Sequence, residues 1–351
     1  MRILWLSLLL LLTFPAVSHA AGPSVIQQDP GAELWNAVRA RAQEDSDPGQ
    51  VRSQVKGIES TSLVNIGGEE WRHFRMGQLI PTAAKVLGFT IIAILLFRLI
   101  RGKIPIKAGR STQKIKRFTT FQRYVHWITA ILFVALGITG AVLLFGRFII
   151  IPYLGPEIGG PLTLLMKRIH DYAGPAFAIA LVVLTFTFMK GNFFKWIDFK
   201  WVFKGGGLLG GHAPAGRYNA GEKGWYWMAV LVGIVVVASG LVLDFTFILD
   251  YTDFGRTRDN ITFAHWVHSI SAVGIMAASL GHIYMGTIAM EGAFEVMQTG
   301  ECDANWAKEH HDLWYEELVE QGVVVPVEEL APVADDASEN DSGTEQVKAV
   351  S

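Results

Sequence analysis

Five apolar runs dominate the chain, at residues 79–100, 125–145, 169–189, 225–249 and 263–290. Each reaches the ~20 residues that a helix needs to cross a bilayer. Hydrocarbon offers no partner for backbone N–H and C=O groups, so each run is predicted to be a helix. The pattern therefore predicts an all-α integral membrane protein with five crossings. Lys85 falls early in the first run, where its aliphatic stem lets the ammonium reach the surface.

A shorter apolar run, residues 3–14, follows Arg2 and precedes Pro15, Ser18 and Ala20. This is the layout of a secretory signal peptide with a cut after Ala20; an uncleaved anchor is the other reading. Residues 21–78 are polar and mixed in charge, an exported extension with one helix expected around 32–42 and no function legible in it. The tail from Val325 is acidic and poor in aromatics, the composition of a disordered segment. It belongs to an expected acidic, disordered cytoplasmic tail at 318–351.

Charge in the connections fixes an expected orientation. Nine Lys and Arg residues and no acid lie from Arg98 to Arg123, and the 190–224 connection carries six basic residues against Asp198 and Glu222. Basic connections face the cytoplasm. The 101–122 loop is thus cytoplasmic, the N-terminus exported and the C-terminus cytoplasmic, as expected of a multi-pass protein of the bacterial inner membrane. The connections near 146–166 and 250–262 carry little or balanced charge and fall on the exported side.

Overall composition adds exclusions. Cys302 is the one cysteine, so the chain holds neither an internal disulfide nor an iron–sulfur cluster, which takes about four cysteine ligands. There is no C-x-x-C-H, so haem is not attached covalently.

The candidate chemistry lies in histidines inside the apolar runs, where an ionisable group is costly and marks function. His126 stands at the entrance of the second run and His170 at that of the third. His268 and His282 stand near opposite ends of the fifth. Fourteen residues of helix rise ~21 Å through nearly four turns, so His268 and His282 share a face at two depths. His126 matches the depth of His282, and His170 that of His268. Two pairs result, each able to hold a flat cofactor between facing helices. Two imidazoles on one iron leave no open position, so the expectation is two haem b groups that carry electrons, ~20 Å apart. Gly137, Gly140, Gly174, Gly274 and Gly286 leave room for a macrocycle, although glycine is common in membrane helices anyway. A single such histidine is as often a helix-to-helix hydrogen-bonding residue; four at matched depths favour a cofactor. His265 lies nearly on the His268 face, closer to the surface, and reads as interfacial, with ligation as its alternative. Zinc also takes histidine, but the ligands here are split between two depths and include no cysteine.

The stretches RYVHW (123–127), RIHDYAG (168–174), RYNAGEK (217–223), HSISAVGIMAASLGHIYM (268–285) and WAKEHHDLWYEE (306–317) resemble the gamma subunit of respiratory formate dehydrogenase, a di-haem cytochrome b. The resemblance spans about 118–317 and places a cytochrome b domain at 123–317. It implies a four-helix di-haem bundle, here with one extra N-terminal transmembrane helix at 79–100. It implies His170 with His268 as axial ligands of the exported-side haem iron, and His126 with His282 for the cytoplasmic-side one. It implies a quinone acceptor near Asn219, Gly221, Met285 and Gly286. It also implies an iron–sulfur beta subunit and a catalytic alpha subunit with molybdenum or tungsten as partners. The chain itself shows no formate chemistry, so its expected part is electron transfer within a quinone-reducing complex of anaerobic respiration, with no role for nucleic acid.

Ordinary readings remain for the quinone residues: an Asn-x-Gly turn and a helix-packing methionine. Arg123 and Arg168 suit haem propionates or surface anchoring equally well. His310 and His311 are expected on the surface of a polar helix, with partner binding as the alternative. Two other functions stay open at this stage: the cytochrome b of a membrane-bound nickel–iron hydrogenase, and a transporter with a histidine proton relay. A purely structural anchor is the third.

Overall fold

The computed structural model describes residues 66–207, 212–245 and 258–326. The expected signal peptide, the expected helix at 32–42 and the tail beyond 326 lie outside the described residues. Within them the architecture is helical, with one short two-stranded ribbon. Helix α1 (Ile66–Phe74) continues through a wide turn at Arg75–Leu79 into α2 (Ile80–Arg101). The helix that carries the first apolar run therefore begins before residue 79, in the polar segment the sequence assigned to the extension. Gly102, at φ 71°, ends α2, and Arg98 and Arg101 occupy its last turn, where positive charge complements the helix dipole.

The second and third apolar runs fold as one 69-residue helical stretch, α3 (Thr120–Phe188), broken once at Gly155. Thr119 caps its start, accepting from the Gln122 amide, while Gln122 caps the Thr119 amide in return. A straight helix of that length would reach ~100 Å, several bilayers. The break resolves this. Gly155 takes φ 71° and ψ 166°, a conformation that glycine reaches without steric cost, with Pro152, Pro156 and Pro161 beside it. The two arms then pack back on each other: the Phe133 and Phe177 rings lie 6.0 Å apart, and a Cβ on Gly159 would sit 2.8 Å from Ile151. The expected loop at 146–166 is thus a helical hairpin turning on one residue.

Helix α4 (Trp196–Phe203) leads to α5 (Ala220–Asp244), and α6 (Arg258–Tyr284) runs antiparallel beside it. Four helical stretches among the described residues are long and apolar enough to span a membrane. Since α3 holds two crossings, five result, as the sequence predicts. The outer faces suit lipid: on α2, Phe89, Ile92, Leu96 and Leu99 recur at helical spacing and are 51–79% exposed.

The added first crossing lies along α6, in the same direction. Trp71 stacks on His265, Phe74 on Trp266, and Phe97 meets Tyr284 edge-on. The backbone continues the match beyond the helices, as Ile104 N–H donates to Ala289 O and Glu291 N–H to Ile104 O.

At this end of the bundle the connections build a compact polar cap. Strand β1 (Lys114–Lys116) pairs antiparallel with β2 (Glu301–Asp303), Ile115 facing Cys302. Short helices α7 (Ala293–Thr299), α8 (Ala304–His310) and α9 (Asp312–Glu320) complete it. Its core holds Ile106, Ile115, Phe118, Cys302, Trp306 and Trp314. Arg117 is buried against the rings of Phe118, Tyr218, Trp306 and Trp314 and pairs with Glu222 at 2.9 Å. Beneath it, Lys223 and Asp198 form a buried pair at 2.8 Å.

Candidate functional site: two histidine pairs

The pair far from the cap is His170, on the second arm of α3, and His268, on α6. Their ring centroids lie 6.2 Å apart with planes at 83°. A metal ion held by one nitrogen of each ring would fit a gap of this size.

The hydrogen bonds define which nitrogen is left for a metal. His268 Nδ1 lies 2.9 Å from the Val236 carbonyl, which only accepts, so Nδ1 carries the proton. Ser239 Oγ is 3.4 Å away, its own proton committed to the Val235 carbonyl. His170 Nδ1 lies 2.8 Å from Thr139 Oγ1, whose proton goes to the Ala135 carbonyl. Thr139 therefore accepts as well. His268 is held in the tautomer with a bare lone pair on Nε2, the state a metal ligand needs, and Thr139 Oγ1 offers His170 an acceptor for the same tautomer.

Glycine makes the space beside each ring. A Cβ on Gly140 would sit 3.4 Å from His170 Cε1, and one on Gly240 would sit 3.0 Å from His268 Cε1. The same dipeptide logic appears twice: Thr139-Gly140 serves His170, and Ser239-Gly240 serves His268. Sequence reasoning singled out Gly140 but missed Thr139, Ser239 and Gly240. The signal was present, a hydroxyl residue followed by glycine at one depth on two helices.

The histidines beside the cap are His126, in the second turn of α3, and His282, near the end of α6. His282 stacks flat on Trp225 of α5, centroids 4.3 Å apart. His126 is edge-on to Trp127, and its Nδ1 is buried with no hydrogen-bond partner. Among the described residues no group accepts a proton from either ring. The residues of both pairs fit haem. His170 and His268 face one another across helices with small residues beside them, and the pair beside the cap holds an orphaned buried nitrogen. No cluster of three or more metal-ligating side chains exists among the described residues, which leaves the pairs.

His265, stacked on Trp71, belongs to the packing of α1 on α6. Asn219 caps α5, accepting from the Glu222 amide at 2.9 Å. On Gly221, a Cβ would sit 3.1 Å from the Trp201 ring. Both precede Trp225 on α5, while Met285 and Gly286 open a wide turn at Met285–Ala289 just after His282. These four thus flank the His282–Trp225 stack. Tyr284, between them, has a buried hydroxyl without a partner.

Two expectations need correction in the cap. His311 is 1% exposed and donates from Nδ1 to the Gly216 carbonyl at 2.8 Å, and His310 Nε2 is buried. Trp306 and Trp314 enclose that corner, so neither imidazole is on a polar surface. Burial, seconded by Arg117, pushes His311 down to about 3, and burial pushes the Cys302 thiol up to about 11. Arg123, for its part, donates to the Gln298 carbonyl.

Comparison with known proteins gives the family. The chain is 27% identical over 206 residues to the formate dehydrogenase cytochrome b556(fdo) subunit of Escherichia coli (strain K12), covering 58% of this chain and 93% of that protein. It is 26% identical over 212 residues to the nitrate-inducible cytochrome b556(Fdn) subunit of the same organism, covering 59% and 93%. With the formate dehydrogenase cytochrome b556 subunit of Haemophilus influenzae the identity is 28% over 210 residues, covering 59% and 84%. The pattern of prokaryotic cytochrome b561 matches residues 117–300, which include all four histidines and just over half of the chain. With its multi-pass helical bundle and its paired intramembrane imidazoles, the chain belongs to the prokaryotic cytochrome b561 family, whose members carry haem b.

Proposed function

We propose that this chain is the membrane-anchoring cytochrome b subunit of a formate dehydrogenase complex, holding two haem b groups and delivering electrons to quinone. One observation carries the reading. Four imidazoles stand in two sets, separated by fourteen residues of unbroken α6, and in one pair each Nδ1 has an acceptor within hydrogen-bond distance. His170 and His268 would hold one haem, His126 and His282 the other. Bound there, each group would supply a one-electron carrier.

The chain's own part is to orient the rings and to keep them neutral in an apolar bundle. The cap side holds the basic connections and so faces the cytoplasm; the N-terminus is exported and the C-terminus cytoplasmic. Asn219, Gly221, Met285 and Gly286 lie beside the His282–Trp225 stack and would border the quinone. An iron–sulfur subunit would donate electrons at the opposite face, fed by a molybdenum or tungsten subunit that oxidises formate. The relatives' names support the formate dehydrogenase assignment. The domain plan follows: a cytochrome b domain at 123–317, preceded by one added crossing.

A reduced-minus-oxidised spectrum of the purified complex, with the haem-to-protein ratio, tests this. The expected result is two haems per chain, reduced by formate in membranes. A colourless chain overturns the cytochrome reading, and reduction by hydrogen alone transfers it to a hydrogenase complex.

A further inference from the structure

The two histidine pairs differ in one respect that bears on the direction of electron flow. At the pair far from the cap, each Nδ1 has an acceptor within hydrogen-bond distance: Thr139 Oγ1 for His170, and the Val236 carbonyl with Ser239 Oγ for His268. At the pair beside the cap, His126 Nδ1 is buried without a partner and His282 rests on the face of Trp225. An acceptor on Nδ1–H makes an imidazole a more basic ligand. A more basic ligand favours the oxidised iron, and hydrogen bonds to the ligating imidazoles are one of the protein's levers on haem potential.

We infer that the acceptors around His170 and His268 hold the haem there at a lower potential than the haem between His126 and His282, so that hydrogen bonds make the path toward the cap downhill for electrons. This rests on the two-haem reading above. Thr139 is the more telling positioning residue, because among the described residues its hydroxyl is the acceptor within reach of His170. Ser239 acts less, since His268 keeps the Val236 carbonyl without it. The charges nearby oppose the trend. Arg75, from the wide turn between α1 and α2, donates to the Leu143 carbonyl one turn beyond Thr139, with Arg147 close by, and cations favour the reduced iron. The Lys167–Asp171 pair is internally balanced. A variant at Thr139 isolates the hydrogen bond from these charges.

The test is a potentiometric titration of the purified complex, following the haem absorption band. Two components are expected. His170→Ala should remove the lower-potential one and His126→Ala the higher. Thr139→Val should raise the lower component by about tenfold in its oxidised-to-reduced balance, 59 mV for a one-electron couple. Thr139→Ser should restore the parent value, and Ser239→Ala should shift it less than Thr139→Val. If His170→Ala removes the higher component, the inference is overturned whatever the Thr139 variants do. It is equally overturned if Thr139→Val keeps both haems and moves neither component. Should Thr139→Val not assemble, the ordering assigned by the two histidine variants decides alone. Two haems in reversed order sink this inference but leave the cytochrome reading standing, whereas absence of haem sinks that reading itself.

Discussion

The bundle and its cap obey opposite rules of inside and outside. On the bundle, Phe89, Ile131 and Phe186 are 67–73% exposed, and the interior carries histidines with their hydroxyl and carbonyl acceptors. In the cap, Trp306 and Ala307 are buried while Glu295 and Arg110 pair at the surface. The contrast follows from the solvent on each side. Lipid makes apolar exposure free and any polar residue costly, so a histidine in the bundle stands out as functional. Water drives apolar burial, so in the cap it is the buried charge that calls for explanation. Arg117, enclosed by four aromatic rings and tied to Glu222, is the cap's counterpart of the bundle's histidines, except that its role is to hold the fold.

Four experiments sharpen or break that comparison. The largest effect is expected in the bundle: His268→Ala should cut the haem content from two per chain to one, measured as haem per protein. Unchanged content would mean that the interior histidines pack helices and hold nothing.

Next comes the buried pair at the junction. Lys223→Ala should destabilise the cap side by about 3–5 kcal/mol, because it strands the Asp198 carboxylate in an apolar surrounding. Asp198→Leu combined with Lys223→Met should recover most of the loss. Denaturant titrations of the three proteins give the comparison, and equal stability of the single and double variants would contradict it.

A smaller, local effect is expected from Gly240→Ala, whose Cβ would meet His268 Cε1 at 3.0 Å. Haem at that pair should be retained less well on dilution in detergent. Gly137→Ala, with open space around it, should behave as the parent. Equal retention in both variants would show that the close approach at Gly240 has no bearing on the site.

The smallest effect is a pH dependence confined to the cap. His311 ionises at about 3 in the fold against about 6.5 when unfolded. Below pH 6.5 the unfolded chain binds the extra proton, so stability is full above that pH and falls steadily toward pH 3. The buried Cys302 thiol, raised to about 11, is a built-in reporter. It should resist maleimide at neutral pH and react when the cap opens. Cap opening by denaturant should become easier from pH 6.5 to 4.5, and His311→Gln should weaken that trend. A parent profile that is flat across this range would contradict the buried, neutral imidazole.

The sequence by itself determined the crossings, the four histidines and their sorting into two depths. That information is local: hydrocarbon thickness sets run length, and a helix converts a spacing of fourteen residues into one face and two levels. It did not determine how the 146–166 connection turns. There Gly155 reverses a continuous helix, and the close approach at Gly159 shows only when both arms are in place. Nor did it reveal the burial of His311, which two polar neighbours, Glu309 and Asp312, made look like a surface residue. Trp306 and Trp314, with Gly216 from a distant connection, bury it. The acceptors Thr139, Val236 and Ser239 lie about thirty residues from the imidazoles they serve. Tertiary structure alone decided these features, because hydrogen bonds and packing contacts depend on which helices face each other, and spacing along one helix carries no record of that.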